Sequence, residues 1–496
     1  MEPRLPIYFN DGMGVESFAT ILRLHLEPEM MYFRINGRKV AFDWDQVIML
    51  TSQTGDEDAI TRFCNEEYKL PIFRERNIRY VQIARAGPLE KDGIVILDDT
   101  RQPHTIFIEG AYKLSDELKV SGTVPQFGGG VHKCALKFKR FTAETFVSFD
   151  LNGTKVCSRV AGEGEVCADC RKHRDAAADA PGGGVIMPAM RAFGFNVDEA
   201  HRISESEKAF RDFNESVCGL AFGYNADETS RIKESDAAIA QYNQKNYASV
   251  FGFNADEVHR LREAKQYDIA PRIGIYFLEL WGWSRQTAYD YIKKHTGIGW
   301  PRSRCSYCPF NSLTESDIER HRAHPAELAD ALLVEHIALA INPRSTLYPK
   351  SSLYEIAVGH DLSAGLKLFD AHVDSCEHSF YRVRRIYYPK KGDVTKKGTT
   401  DRAVERLATG TRAEMQREFT RQAKGLLVER HLNHLYAYKR HRSEVLFPTG
   451  EEFYVVCPST VETKARYSME RFDQKWHMLI APDAARLSPG QIGLNF

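Results

Sequence analysis

No run in this chain approaches the roughly 20 consecutive apolar residues that span a bilayer. The opening "MEPRLPIYF" has neither the basic start nor the apolar core of about 7–15 residues that mark a secretory signal, so the expectation is a cytoplasmic protein. Cysteine is sparse, 10 among 496 residues, which excludes a disulfide scaffold. In a reducing compartment, close cysteine pairs read instead as metal ligands or redox groups. Net charge is missing too: 67 Lys and Arg balance 67 Asp and Glu, which argues against a uniformly basic coat for nucleic acid. The balance is uneven along the chain, however. Residues 381–443 hold 17 basic against 6 acidic side chains, so the remainder is acidic by the same margin. Such segregation suits one module that faces a polyanion. Also lacking are the Gly-Lys-Ser/Thr ending of a Walker A loop and any G-x-G-x-x-G in the first turn.

The length implies roughly two to four domains. Residues 1–150 alternate between strand-like and helix-like patterns: "LPIYF", "VIMLT" (47–51) and "YVQIAR" (80–85) read as buried strands. Val15, Phe18, Ala19, Leu22 and Leu26 form one apolar helix face, a second helix is expected from Asp58 to about Arg76, and "GIVILDD" with "HTIFIEG" reads as a hairpin. Short apolar strands separated by helices predict an α/β fold, a Rossmann-like parallel sheet with helices on both faces. Residues 151–190 form a Cys-rich insertion. Within 191–345 a unit recurs every 29 residues, "FGFNVDEAHRI" from Phe193, "FGYNADETSRI" from Phe222 and "FGFNADEVHRL" from Phe251, read as a triplicated helical insertion. The chain is expected to be helical from Arg272 to "CSYCPF" and again to about Ala340. Residues 346–496 read as a basic α+β region, with "YRVRRIYYPKK", an Arg-rich helix over 400–440, and strands at "EEFYVVCP" and "KWHMLIAP".

The chemistry starts at "FNDGMGVESF" (9–18), between a strand and a helix. A Gly-rich turn at a helix N-terminus offers unpaired N–H groups and the positive end of the helix dipole to an anion. Gly12 and Gly14 permit close approach and Ser17 adds a hydroxyl. Glu16 repels bare phosphate unless Mg²⁺ bridges the two, so the turn reads as a nucleotide–metal site; the plain alternative is a tight turn that uses glycine for geometry.

Several stretches together resemble the PP-loop ATP pyrophosphatase superfamily, in particular its PAPS-reductase-like branch. "GMGVES" is similar to the Ser-Gly-Gly-x-Asp-Ser loop, "TGDE" to the Thr-Gly-x-Glu segment, and "HKCALKFKRF" (132–141) to the cysteine followed by basic residues. "FGYNADETSR" resembles Gly-[Ile/Phe]-x-Ala-Asp-Glu-x-x-Arg, and "LWGWSRQTAYDYIKKHTGIGWPRSRCSYCPF" the closing Trp…Tyr…Cys-x-x-Cys-Pro-Phe region. The match spans about 5–312; the C-terminal 150 residues resemble no family. The resemblance implies an adenine nucleotide, ATP with Mg²⁺, on Gly12, Met13, Gly14, Val15 and Ser17, with Thr54, Gly55 and Glu57 nearby. Glu228/Arg231 or Glu257/Arg260 from the repeat stay open as its further contacts. Glu16, Cys134 and Lys137 are the implied catalytic residues. Gly12 and Met13 depart from the family's Ser and Gly, and Glu16 is one methylene longer than its Asp.

The resemblance also implies a [4Fe–4S] cluster on Cys134, Cys305 and Cys308, with Cys218 as a fourth candidate. Cys157, Cys167, Cys170 and His173 have the make-up of a structural Zn²⁺ site, and a rival allocation joins Cys167 and Cys170 to Cys305 and Cys308. True PAPS reductases end in a Glu-Cys-Gly-Leu-His tail, and this chain has "SPGQIGLNF" instead. The expected function is therefore nearer the sulfurtransferases that modify nucleic acid, with a cysteine desulfurase as a possible sulfur-donor protein. Two alternatives remain open, a sulfonucleotide reductase and a non-catalytic nucleotide-binding subunit of a nucleic-acid-processing or defence complex. Interleaved Arg and Tyr in "YRVRRIYYPKK" suit contact with DNA or RNA, against the bland reading of a solvated basic surface.

Overall fold

The computed structural model describes residues 5–35, 38–89, 92–108, 110–125, 134–151, 191–193, 220–222, 247–266, 268, 272–310, 313–349 and 351–481. The chain divides into two compact units, Met1–Leu114 with Phe127–Cys305, and Ser115–Gln126 with Ser306–Phe496. Among the described residues no helix is long and apolar enough to cross a membrane.

In the first unit, strands β1 (Ile7–Asn10), β4 (Val47–Gln53), β5 (Arg79–Arg85), β6 (Ile94–Thr100), β9 (Tyr247–Val250) and β10 (Arg272–Ile275) form one sheet. Their order is β10-β9-β1-β4-β5-β6. Every neighbouring pair is parallel except β5 and β6. The near-continuous apolar runs of β4 and β5 suit strands covered on both faces. Side chains alternate across a pleat, and the core divides accordingly. Ile7, Phe9, Val47, Met49 and Tyr80 pack with Phe18 and Ile292 of the helices Val15–Leu26 and Arg285–Thr296. Tyr8, Ile48, Leu50, Val81 and Ile83 pack with Phe146 and Val147 of the helix Phe141–Leu151. Helices thus cover both faces, as the alternating pattern implies, on a sheet that is mixed rather than wholly parallel.

Three local expectations change. β6 pairs with β5, and "HTIFIEG" forms no strand among its described residues, because the chain reverses directly into β5. Arg272–Ile275 is a strand, not helix; the helices begin at Phe277 and Arg285. The third repeat copy is no insertion: its "FGFN" turn leaves β9 of the main sheet and leads into the helix Val258–Lys265. The first two copies follow short strands, β7 (Arg191–Phe193) and β8 (Leu220–Phe222), which pair in parallel with Phe193 opposite Phe222. A separate hairpin joins β2 (Tyr32–Ile35) and β3 (Arg38–Ala41).

The second unit holds an antiparallel sheet in the order β13-β14-β15-β11-β12-β16. Its strands are β11 (His378–Lys390), β12 (Asp393–Gly410), β13 (Leu427–His431), β14 (His434–Arg440), β15 (Thr449–Pro458) and β16 (Lys464–Ala465). The helix Arg412–Gln422 packs with Phe380 and Val456, and the helix Met469–Ile480 packs with Ile386 and Ala403. The α+β class and the strand at "EEFYVVCP" agree with expectation. The Arg-rich 400–440 segment does not: it is strand, helix, strand and strand, with β12 laddered to β11 and β13 to β14. "KWHMLI" is helical, with Phe472 and Trp476 four apart on its buried face. In "YRVRRIYYPKK" the tyrosines at 381, 387 and 388 are buried. Arg382, Arg384 and Arg385 are ion-paired with Glu452, Glu405 and Glu451.

Candidate nucleotide site

β1 connects onward to β4 on one side of the sheet, and β9 connects to β10 on the other. The carboxyl ends of β1 and β9 therefore flank the point where strand order reverses, the usual crevice for ligands in open α/β sheets. Asn10 Nδ2 donates to Val250 O at 3.3 Å across that junction. The loop Asp11–Gly14 leaves β1 here and enters the helix Val15–Leu26, whose N-cap, Gly14, gives no side-chain cap. The first-turn N–H groups consequently have no side-chain acceptor from the cap, as an anion site requires. Gly12 is exposed, and the space a side chain there would fill is open to at least 4 Å.

The loop is anchored from beneath by a buried ion pair. Lys69 Nζ donates to Asp11 Oδ1 at 2.7 Å, with both side chains almost wholly inaccessible. Met13 N–H donates to the same carboxylate oxygen at 2.8 Å, and Thr51 Oγ1 to the other at 3.2 Å. Burial works against the Asp11 carboxylate, but the Lys69 ammonium and these hydrogen bonds outweigh it and hold its pKa below the ordinary range. Burial likewise pushes the Lys69 ammonium down, against the pull of Asp11. Met13 is buried in the left-handed region at φ 58°, where L-residues are strained. Asn65 Nδ2 and Trp300 Nε1 each donate to its carbonyl at 3.3 Å.

Glu16 lies in the first helical turn, and Arg285 Nε stands 3.6 Å and Asn254 Nδ2 3.4 Å from its Oε1. Gly252 is required by close approach: a Cβ there would lie 3.1 Å from Glu16 Cβ. Asn254 belongs to the third repeat copy, so that copy does reach the site. Its Glu257 accepts from Asn254 N–H at 2.9 Å and pairs with Arg260, and both therefore brace their own turn.

A second group gathers beyond β4. Thr54 Oγ1 lies 3.5 Å from Cys305 Sγ, and Glu57 forms a β-bridge with Cys305. The buried Glu57 carboxylate accepts from Ser303 Oγ at 3.2 Å and sits 3.5 Å from Lys139 Nζ. Gly55 has φ 88°, and a Cβ there would lie 2.7 Å from Lys113 Cγ, so glycine is needed twice over. Burial lowers the Lys139 ammonium, but the Glu57 carboxylate raises it above its ordinary range. Burial and Glu57 push the Cys305 thiol well above its ordinary range.

The structure thus brings Glu16, Gly14 and Ser17 together with Asn254, and Thr54 and Glu57 together with Cys305 and Lys139. Lys139, rather than Lys137, reaches Glu57. Cys308 belongs to the second unit. Cys157, Cys167, Cys170, His173, Cys218, Glu228 and Arg231 lie outside the described residues. Among the described residues no three His, Cys, Asp or Glu side chains converge on a metal position. Asp11, Lys69, Lys139, Asn254, Arg285 and Ser303 escaped the sequence reading. Lys69 and Lys139 both ride on π-helical turns, Asn65–Lys69 and Ala135–Arg140, a feature common at functional sites but without a sequence signature. Comparison with protein-family models, curated proteins and solved structures finds no match.

Proposed function

We propose that this chain is an ATP-dependent enzyme of the PP-loop type, with the nucleotide phosphates seated on the loop Asp11–Ser17. The observation that carries this reading is the uncapped helix start at the strand-order reversal, with Glu16 and Arg285 converging above it. The first-turn N–H groups and the Ser17 hydroxyl would bind phosphate oxygens, while Arg285 is free to trade its contact with Glu16 for the nucleotide. A single carboxylate suits Mg²⁺, which is commonly held by one or two carboxylates plus substrate phosphates and keeps several waters; bound there it would neutralise phosphate charge. Asp11 and Lys69 fix the loop backbone from below, so the donors are preorganised.

The sulfurtransferase reaction and its [4Fe–4S] cluster rest on the resemblance alone. The described residues do not supply a converged thiolate set. Nucleic acid remains the proposed acceptor. With the arginines of β11 ion-paired, exposed basic side chains elsewhere in the region, among them Lys390, Lys391 and Lys397 around the β11–β12 turn, would meet it.

A second reading, a subunit that binds the nucleotide without turnover, is favoured by one observation: Glu16 is already engaged by Arg285 and Asn254. Calorimetric titration with ATP and Mg²⁺, followed by assay of pyrophosphate release with RNA and DNA present, separates the two. Binding with release supports the enzyme, binding without release the subunit. No binding by the folded protein, or binding that Arg285→Ala leaves unchanged, sinks both.

A further inference from the structure

The second unit carries a cavity of about 420 Å³ between the β11–β12 face and the helix Met469–Ile480. Alternation along β11 sends Arg382 and Arg384 to the same face, and the antiparallel register sets Glu405 opposite Arg382. Met469, Asp473 and His477 come from one helix face at i, i+4 and i+8. Arg406 and Leu407 complete the wall from β12. Arg384 is only 3% exposed, and its Nε–H has no acceptor. Glu405 and Asp473, the latter at 2.7 Å, hold the other end of its guanidinium, which lies over the rings of Phe472 and Trp476. The wall therefore presents three guanidiniums and two carboxylates, with Glu452 paired to Arg382 behind it, and leaves over a buried Arg384 Nε–H donor and a buried Asp473 Oδ1 acceptor.

We propose that this cavity binds a phosphomonoester carried on a small organic body, independently of the nucleotide loop in the first unit. Guanidinium forks match phosphate oxygens, and the spare Arg384 donor calls for an acceptor. The volume lies within the roughly 300–1,000 Å³ of small-molecule sites. Leu407, 47% exposed, offers an apolar wall, and Glu405 and Asp473 offer acceptors for sugar hydroxyls. The same phosphate chemistry is available from a free nucleotide or from the 5′ end of a nucleic-acid strand.

The test is calorimetry on the full chain with ribose 5-phosphate, which lacks the adenine expected at the first site, beside ribose, succinate, and 5′-phosphorylated and 5′-hydroxyl oligonucleotides. Ribose 5-phosphate should bind at least tenfold more tightly than ribose or succinate. Arg384→Lys and Arg406→Gln should each weaken it at least tenfold and leave ATP binding unchanged. A marked preference for the 5′-phosphorylated strand over ribose 5-phosphate assigns the ligand to strand ends; indifference to the strand's 5′ group assigns it to free phosphomonoesters. Equal binding of ribose or succinate overturns the proposal. So does unchanged affinity in Arg406→Gln, whose exposed side chain can be replaced with the fold intact, as Trp476 fluorescence would report.

Discussion

Replacing Lys69 by methionine keeps most of the side chain's length and apolar stem but removes the ammonium from the Asp11 carboxylate. Asp11 is 4% exposed, and Met13 N–H and the Thr51 and Ser17 hydroxyls would still donate to it, without a charge to match its own. Breaking a buried pair from one side costs about 3–5 kcal/mol because a charge is left uncompensated. With urea m-values of about 1–3 kcal/mol/M, the first unit should unfold roughly 2 M earlier. Four of the five tryptophans, Trp44, Trp281, Trp283 and Trp300, lie in that unit, so fluorescence follows it within the full chain. Asp11→Asn with Lys69→Met removes both charges and should recover more than half of the loss. The acid side gives a second check. In the native protein the Asp11 pKa is depressed, so its stabilisation is present above the unfolded value and is lost as pH falls through the lower folded one. In Lys69→Met the folded pKa is raised instead, and the penalty should shrink as pH falls toward the ordinary carboxylate value of about 4. A cost below about 1 kcal/mol, or a double variant no better than the single one, would refute the account of Asp11 and Lys69 as the loop's anchor.

Other outcomes follow from single features. His434, buried and donating from Nε2 to His336 O at 2.9 Å, has its pKa lowered to about 4 by burial. Its stabilisation is full above the unfolded value of about 6.5 and drains as pH falls to about 4, roughly 3 kcal/mol at 1.36 per unit; acid unfolding followed at Trp476 should steepen over that window and flatten in His434→Phe. Met13→Gly should be more stable than Met13→Ala by about 1–2 kcal/mol, because only glycine is unstrained at φ 58°; equal urea midpoints would remove the strain. Gly252→Ala drives a methyl group against Glu16 and should weaken ATP binding several-fold with little change in unfolding midpoint. Glu335 accepts from the N–H groups of Leu347, Leu353 and Tyr354. Glu335→Ala orphans two buried donors, Leu347 and Leu353 N–H, and the half-buried Tyr354 N–H, at about 1–3 kcal/mol for each buried one before relaxation, and a loss under 1 kcal/mol in the second unit's unfolding would contradict that.

The first unit was legible where periodicity carries the physics. β1, β4 and β5 are apolar runs, and the helix Val15–Leu26 shows its buried stripe in the sequence. In the second unit the charge pattern suggests solvent exposure that the fold does not give. In β11 and β12, Arg and Glu face each other across the ladder, and a cross-strand pair is invisible to a one-dimensional count. The apolar run of "KWHMLI" is short enough to suit helix or strand alike. At the site, Gly14, Glu16, Ser17, Thr54 and Glu57 announced themselves through local motif, whereas Lys69 and Arg285 meet it only through the fold. A buried lysine in "NEEYKLP" looks like any solvated one, and only its partner 58 residues away distinguishes it.

The position of β9 beside β1 also fixes when the site can exist during synthesis. β1 gains its β4 neighbour within the first fifty or so residues, but its other edge waits for Tyr247–Val250. At about 5–20 residues per second, that edge stays unpaired for roughly 10–50 s on the ribosome. Throughout that interval Glu16 lacks both Asn254 and Arg285, and an open strand edge is available to any passing chain. The loop Asp11–Gly14 is thus among the first segments made, and its surroundings are among the last to be completed.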